Sequence, residues 1–323
     1  MLTYYSLRFG MLLAAIVPHR LAYWLCSVVG NIAFFGNGTS RQAVRDNMRH
    51  VLGPQASRRQ VDKLSRYVFR NTVKNYYELL CLPRLSQAEL KQRVTVVGVE
   101  NLDAARQGGH GVILFSGHIG NFNLAAQIAG GLGYPTNIIA EQMAPPRLHE
   151  LVNGLRSRFG LKLIPLGPTA VRGIYHALRA NEILGLAADR DLTENSVPVE
   201  FFGEITELPS GLAALSLRLN APLVPVHVVR KSNDSSVVTV YPALELARTG
   251  DRDQDTLAGT RQIARVVEAM IRKTPEQWVV LQPVWPDAPQ SGPQDMGQPA
   301  ADPERPPRAV PPTEPAAPQS KSA

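Results

Sequence analysis

The sequence lacks the features that define several large classes of protein. It has only two cysteines, Cys26 and Cys81, and both lie in apolar surroundings. Two cysteines give neither a disulfide framework nor the spacing of a metal site, and they are typical of a reducing compartment. The sequence has no P-loop, no GxGxxG segment and no internal repeat. We therefore expect no bound metal and no cofactor.

Long hydrophobic runs are also missing. Phe9–Val17 gives nine apolar or glycine residues, Pro18–Arg20 interrupts, and Leu21–Phe35 gives 15 more that include two polar residues. Each run is shorter than the roughly 20 residues of a membrane-spanning helix, and no convincing signal-peptide cleavage site follows. We predict that residues 1–38 form membrane-associated helices, as an embedded or re-entrant hairpin that stays on the mature protein. A pair of buried core helices is the alternative.

The C-terminal residues have a different composition from the rest. Residues 287–323 hold ten of the 26 prolines and no aromatic residue, so we predict a disordered tail. The net charge is +7, and the tail contributes five acids and three bases. The remaining 286 residues therefore carry a net charge of +9, from 31 basic and 22 acidic residues. Such a surface favours an anionic partner, either nucleic acid or an anionic membrane.

A basic helix follows the apolar start. Residues 39–92 read as helices, and five cations recur there at spacings of three and four, which places them on one helix face: Arg59, Lys63, Arg66, Arg70 and Lys74. These five residues are named the basic stripe. Its position beside the apolar N-terminus favours an anionic membrane lipid as partner over an ordinary solvated face. No nucleic-acid motif accompanies it, so we expect no nucleic-acid partner.

From residue 94 onward, short strands alternate with helices. The run Gly111–Phe115 is apolar throughout, as in a strand that is buried on both faces. The pattern predicts an α/β fold: a mostly parallel sheet flanked by helices, with the N-terminal helical membrane-associated extension before it. We assign residues 39–286 to this domain. The predicted strands are 94–97, 111–115, 136–140, 161–165, 183–187, 222–229, 237–241 and 278–282.

The segment 116–123, with the sequence SGHIGNFN, is the sharpest local signal. It follows a buried strand and opens a helix, the place where open α/β sheets collect their functional groups. His118 is the candidate general base because an imidazole titrates near neutral pH. The N–H groups of Gly120 and Asn121 are candidates to hold developing negative charge. Taken alone, a His in a glycine-rich turn is about as often structural as catalytic.

Two further strand or helix ends carry charged candidates. Asp189 and Arg190 follow the strand 183–187, so the carboxylate of Asp189 could reach His118 and stabilise its imidazolium. Arg156 and Arg158 in LRSRFG are candidates to hold a phosphate, which arginine binds with two parallel hydrogen bonds. Solvated helix ends and a surface ion pair are the plain alternatives for these residues.

Five ordered blocks carry a resemblance to a known family. They are GHIGNFN, LRSRFGLKLIPLG, DRDLTENSVPVEFFGE, LPSGLAALSLRLNAPLVPVHVVR and PEQWVVLQPVW. In this order they resemble the bacterial lauroyl/myristoyl-type lysophospholipid acyltransferases. That family includes the lipid A biosynthesis acyltransferases and the phosphatidylinositol mannoside acyltransferases, and the DRDLT…FFGE block looks most like the latter. The resemblance covers roughly residues 3–286.

The resemblance implies acyl transfer at the cytoplasmic face of the inner membrane. His118 would take the proton of a glycolipid or lysophospholipid hydroxyl, which would attack an acyl thioester of CoA or of acyl carrier protein. Arg156 and Arg190 would hold a phosphate of donor or acceptor. No covalent acyl-enzyme is expected, because Ser116 lies in no GxSxG elbow. The blocks around Phe201–Phe202 and Pro209–Gly211 would shape an acyl groove, although plain core packing explains the phenylalanines equally well.

The sequence departs from the family pattern at Asn123. The family has Asp or Glu at this position, five residues after the His, and an amide orients an imidazole without stabilising the imidazolium by charge. Three readings follow: Asp189 supplies the carboxylate, catalysis is slower, or the protein is a catalytically weak relative. A lipid-binding pseudoenzyme is therefore the main alternative function, and a thioesterase, with water as acceptor, is another.

The composition of the tail gives a first testable prediction. Truncation after Pro286 should leave the melting temperature and the turnover nearly unchanged, since the tail lacks residues able to pack a core. Thermal unfolding and turnover of the two chain lengths measure this. A large loss of either would mean that the tail docks on the domain.

Overall fold

A computed structural model describes residues 2–140, 143–167, 169–190 and 195–285. Residues up to 286 form one compact unit. The tail predicted for residues 287–323 lies outside the described residues. Within the described part, helices cover both faces of a sheet, as the alternating pattern predicts.

The sheet has seven strands in the order β1-β9-β8-β2-β5-β3-β4. All neighbouring pairs are parallel except β8 and β9, so the sheet is mostly parallel, as predicted. β2 and β5 lie at its centre, and Val112, Ile113 and Phe115 of β2 are almost fully buried. The strands are β1 Val94–Val97, β2 Val112–Ser116, β3 Thr136–Ala140, β4 Lys162–Pro165, β5 Ile183–Ala187, β6 Ser196–Phe201, β7 Glu204–Pro209, β8 Leu223–Arg230 and β9 Ser236–Val240.

In the described residues, five α-helices precede the first strand, and six more alternate with the strands or follow them. They are α1 Leu2–Ile16, α2 His19–Gly36, α3 Gly38–Leu52, α4 Arg58–Cys81, α5 Gln87–Arg93, α6 Val99–Arg106, α7 Phe122–Gly131, α8 Pro146–Arg156, α9 Ala170–Arg179, α10 Gly211–Leu219 and α11 Arg252–Lys273. Leu7 and Met11 of α1 pack against the same core as Val226 and Val228 of β8. The first helix is thus joined to the core of the sheet.

The long helix α4 connects the N-terminal helices to the rest of the fold. Ser57 and Gln60 form a capping box at its start, which satisfies free N–H groups of the first turn. Gly30 lets α2 approach α4 closely, because a Cβ at this position would lie 2.6 Å from the Cα of Arg70. One face of α2 therefore packs against α4, and the opposite face is exposed.

The outer faces of α1 and α2 are apolar and exposed. On α2, Leu21, Trp24, Ile32 and Phe35 recur at helical spacing, and Ile32 is 65% exposed. On α1, the exposed set is Tyr5, Phe9, Leu12, Leu13 and Ile16. Within the described ranges, no helix combines the length and the apolarity needed to cross a bilayer. A soluble protein seldom exposes this much contiguous apolar side chain without a partner.

The basic stripe lies next to the apolar face of α2. Arg66 places its guanidinium 5.4 Å from the ring centre of Phe35. Arg70 donates to Asn31 at 2.9 Å. Lys74 instead pairs with Asp234 at 2.7 Å and is only 17% exposed, so it belongs to the interior end of the stripe. The exposed part of the stripe is therefore Arg59, Lys63 and Arg66.

Two elements differ from the sequence-based expectation. The predicted last strand, 278–282, is wrong: Trp278 makes a single bridge with Ile119, because this segment lies against the turn after β2 and not against a strand edge. The hairpin of β6 and β7 was not expected, and its second strand extends to Pro209, two residues before α10 begins.

Candidate active site

The site is built at the carboxyl end of the central strand β2. The chain leaves β2 at Ser116, turns through His118 and Gly120, and enters α7 at Phe122. Asn121 caps α7, since its side-chain oxygen accepts from the N–H of Leu124 at 3.0 Å. β5 ends beside β2, with Ala187 opposite Ser116. Parallel strands thus bring His118 and Asp189 to one edge of the sheet.

His118 and Asp189 are in direct contact. The imidazole Nδ1 lies 2.7 Å from Oδ1 of Asp189. The backbone N–H of His118 donates to the other carboxylate oxygen, Oδ2, also at 2.7 Å. The expected proximity of these two residues is therefore confirmed, whereas their catalytic roles stay predictions.

Trp278 is the third partner of this pair. Its indole N–H donates to Oδ2 of Asp189 at 2.7 Å, and the whole side chain is buried. Phe201 and Phe202 of the β6–β7 hairpin pack their rings against Trp278. Both phenylalanines are buried. They therefore pack in the core, and this packing supports Trp278.

The surroundings of Asp189 keep its carboxylate ionised. Burial by itself raises the pKa of this group, but the facing His118 imidazole, the His118 N–H and the Trp278 indole together hold it below its usual value. A carboxylate that accepts several hydrogen bonds is favoured in its charged form. A negative charge therefore faces Nδ1 of His118 throughout the neutral range.

The contact with Asp189 decides which imidazole nitrogen is available. With Nδ1–H donating to the carboxylate, the neutral ring carries its free lone pair on Nε2. The His118 side chain is 20% exposed, while that of Asp189 has no exposed surface. Phe122 lies edge-on to the imidazole at 5.2 Å between ring centres. The arrangement can accept a proton at Nε2 from a hydroxyl or from water.

Backbone hydrogen bonds join the turn around His118 to the segment around Trp278. The Gly120 N–H donates to the carbonyl of Gln277 at 2.9 Å, and the Val279 N–H donates to that of His118 at 2.9 Å. The Gly120 N–H is committed to this bond, which corrects our expectation that it holds an oxyanion. Gly120 has a φ of +60°, and a Cβ there would lie 2.3 Å from the Val228 carbonyl, so this position requires glycine.

The other predicted site residues occupy different places. Asn123 lies in the first turn of α7, half-buried, while the carboxylate at Nδ1 of His118 comes from Asp189. Asn121 is fully buried, and its amide contacts Glu78. The oxyanion role of its backbone N–H stays a prediction.

The three arginines lie at element ends. Arg156 is the last residue of α8, and its carbonyl accepts from Gln127 of α7, which also accepts from the Phe159 N–H. Arg158 lies over the ring of Phe159, at 5.5 Å from the ring centre. Arg190 is half-buried directly after Asp189. Their binding of phosphate stays a prediction.

Comparison with known proteins assigns the chain to a family. A family model described as bacterial lipid A biosynthesis acyltransferase matches residues 1–286. The chain belongs to this family.

Individual relatives agree with the family assignment. The chain is 31% identical to a phosphatidylinositol mannoside acyltransferase of Mycolicibacterium smegmatis, over 77% of this chain and 80% of the relative. It is 30% identical to the protein of the same name in Mycobacterium tuberculosis, over 78% and 79%. A lipid A biosynthesis acyltransferase of Haemophilus influenzae is 22% identical, over 84% and 83%.

Sequence reasoning missed the buried residues that surround the turn after His118. Glu78, Arg230 and Gln277 are all buried there and come from distant parts of the acyltransferase chain. A usable signal existed, because Glu78 and Arg230 each end or interrupt an apolar run, in NYYELLCL and PLVPVHVVR. A charge inside an apolar run is rarely buried without a partner.

Proposed function

We propose that this acyltransferase moves a fatty acyl chain from an acyl thioester to a hydroxyl of a glycolipid or lysophospholipid, with His118 as the general base. The observation that carries the proposal is the hydrogen bond of His118 Nδ1 to the buried carboxylate of Asp189, which leaves Nε2 for the acceptor. The relatives named for phosphatidylinositol mannosides support a sugar hydroxyl as acceptor. Acyl-CoA and acyl carrier protein are the candidate donors.

The proposed reaction is a direct transfer. Nε2 of His118 takes the proton as the acceptor oxygen bonds to the thioester carbonyl carbon. The tetrahedral intermediate then breaks its carbon–sulfur bond, and the leaving thiolate receives the proton from the imidazolium. Asp189 holds the ring in the correct tautomer and stabilises the imidazolium by its charge.

The decisive experiment measures transfer directly. The purified full chain is incubated with acyl-CoA or acyl carrier protein thioesters and with a panel of lysolipids and mannosylated phosphoinositides, and the lipids are analysed by mass spectrometry. We expect an acceptor that gains one acyl chain. Release of free fatty acid without transfer would indicate a thioesterase, and binding without either product would indicate a pseudoenzyme.

We also propose that α1 and α2 lie on the cytoplasmic face of the inner membrane. Their exposed apolar faces fit the depth at which interfacial helices insert, and the exposed cations Arg59, Lys63 and Arg66 border the face of α2.

Membrane binding gives a testable prediction with a matched control. Ile32→Ala should weaken binding to phosphatidylglycerol vesicles about threefold or more, because burying its side chain removes apolar area from water. Ile205→Ala is the control, since Ile205 on β7 is 67% exposed against 65% for Ile32. Vesicle co-flotation measures both variants.

Salt separates the apolar from the ionic contribution to binding. High salt should weaken the binding of the wild type without releasing it completely, because salt screens only the stripe. Complete release by salt would contradict insertion of the apolar faces. Equal losses in the two alanine variants would contradict a binding surface on α2.

A further inference from the structure

A buried ion pair lies next to residues 117–121, which are named the His118 turn. Arg230, the last residue of β8, donates to both carboxylate oxygens of Glu78 on α4, at 2.5 and 2.6 Å. Each of the two side chains is only 4% exposed. Arg230 also donates to Asn75 at 2.7 Å. Glu78 further accepts from the hydroxyl of Tyr23 on α2, at 2.7 Å, and from the amide of Asn121.

Residues bonded to Glu78 and Arg230 contact the turn from two elements. From α4, the Asn75 amide donates to the carbonyl of Gly120 at 2.6 Å. From β8, the backbone of Arg230 exchanges two hydrogen bonds with the side chain of Gln277, at 2.7 and 2.9 Å. Gln277 in turn accepts from the Gly120 N–H. The Gly120 carbonyl is therefore bonded to a partner of the Arg230 guanidinium, and the Gly120 N–H to a partner of the Arg230 backbone.

Burying the charges of this cluster costs desolvation free energy. Removing two ions from water costs several kcal/mol for each, and an apolar pair of the same volume often stabilises a fold equally well. Burial lowers the pKa of Arg230, but Glu78, together with Tyr23 and Asp234, raises it above its usual value, so the guanidinium stays charged. Burial and the neighbouring Glu78 raise the pKa of Tyr23, which keeps its hydroxyl a donor. A fixed geometry explains this cluster better than stability alone.

We propose that Glu78 and Arg230 are positioning residues, whose ion pair sets the conformation of the His118 turn and so the distance between the imidazole and Asp189. The inference rests on the proposed function of His118 for its kinetic consequence only. Through Tyr23, which precedes the exposed Trp24, the same cluster bonds the apolar helix α2 to the site.

Glu78→Gln tests the proposal, because glutamine keeps the shape and removes the charge that holds Arg230. We expect kcat to fall about 10- to 100-fold with little change in KM, since a small displacement of a catalytic group has an effect of this order. The control is Glu182→Gln. Glu182 likewise accepts from an amide, that of Asn137, and from a cation, Lys162, but lies at the other end of β5. The control should keep its kcat.

A readout other than turnover separates the proposal from the proposed function. The hydrogen bond between His118 and Asp189 is followed by NMR through the Nδ1–H resonance, in protein labelled at histidine. A looser contact with Asp189 should move this resonance upfield or broaden it in Glu78→Gln and in Arg230→Lys. A wild type that transfers no acyl chain would refute the proposed function, and this resonance would still decide the role of the pair.

Tyr23→Phe keeps the test valid if removal of either charge prevents folding. It deletes only the hydroxyl that donates to Glu78, and we expect kcat to fall about threefold to tenfold. Tyr77→Phe is the control, because the Tyr77 hydroxyl also joins α2 to α4, through His19, but does not contact Glu78. Folded Glu78, Arg230 or Tyr23 variants with the wild-type Nδ1–H resonance of His118 would overturn the proposal, as would equal effects of the two tyrosine variants.

Discussion

His118→Ala should lower acyl transfer by about 10²- to 10⁴-fold, the usual effect of removing a general base. The imidazole is the group whose Nε2 can receive the proton of the acceptor hydroxyl, because Nδ1 is bonded to Asp189. The substitution also takes a partner from a buried carboxylate, which lowers stability as well. His118→Asn is therefore measured beside it, since its amide can still donate to Asp189 but cannot act as a base.

Steady-state rates at saturating acyl donor, with thermal unfolding on the same samples, separate the two effects. We expect His118→Asn to be more stable than His118→Ala and equally inactive. His110→Ala serves as the control, since His110 is exposed in the loop before β2. A folded His118 variant with near wild-type turnover would refute the mechanism.

Asp189→Asn should also reduce turnover by about 10²- to 10⁴-fold, and the reason lies in its hydrogen bonds. Two donors, the His118 N–H and the Trp278 indole, point at the same oxygen, Oδ2. An asparagine satisfies both only by placing its carbonyl oxygen there, which turns its NH₂ group toward Nδ1. Nδ1 must then accept, so the proton of the neutral ring moves to Nε2 and the base is lost.

Asn123→Asp is the informative partner of this variant. If Asp189 supplies the charge, a second carboxylate in the first turn of α7 should help only modestly. If the site has no working acid, Asp189→Asn should be nearly silent and Asn123→Asp clearly activating. Turnovers of both variants on one acceptor decide between these readings, and the second pattern would refute the assignment of Asp189.

Patterns local in sequence predicted most of the fold. The apolar runs that became β2, β3 and β5 lie between helices with clear periodicity, so both their type and their order followed from the residues. The β6–β7 hairpin was missed because its turn, Phe202–Gly203, was interpreted as part of a motif that shapes an acyl groove. The segment after Gln277 is apolar like a strand, yet its hydrogen bonds go to a turn. Tertiary contacts alone determine that outcome.

The candidate site was likewise predicted only where the position of a residue follows from the local sequence. His118 and Asp189 could be predicted because each follows a buried strand, and parallel strands end together. Trp278 and the Glu78–Arg230 pair could not be placed, because 89 residues separate the indole from Asp189 and 152 separate the two charges. Spacing along the chain carries no information about such partners. The departure at Asn123 was visible in the sequence, but its consequence depends on which carboxylate faces the imidazole.

The late position of Trp278 also has a consequence for synthesis. A chain emerging from the ribosome presents β2, the His118 turn and β5 well before the indole that donates to Asp189 and the carbonyl that receives the Gly120 N–H. Domains fold as units, and residues up to 286 form one unit, so this domain completes its fold only after its last residues have emerged. His118 and Asp189 therefore reach their final geometry late in synthesis. We expect incomplete translation products that end before Gln277 to lack this geometry and to transfer no acyl chain.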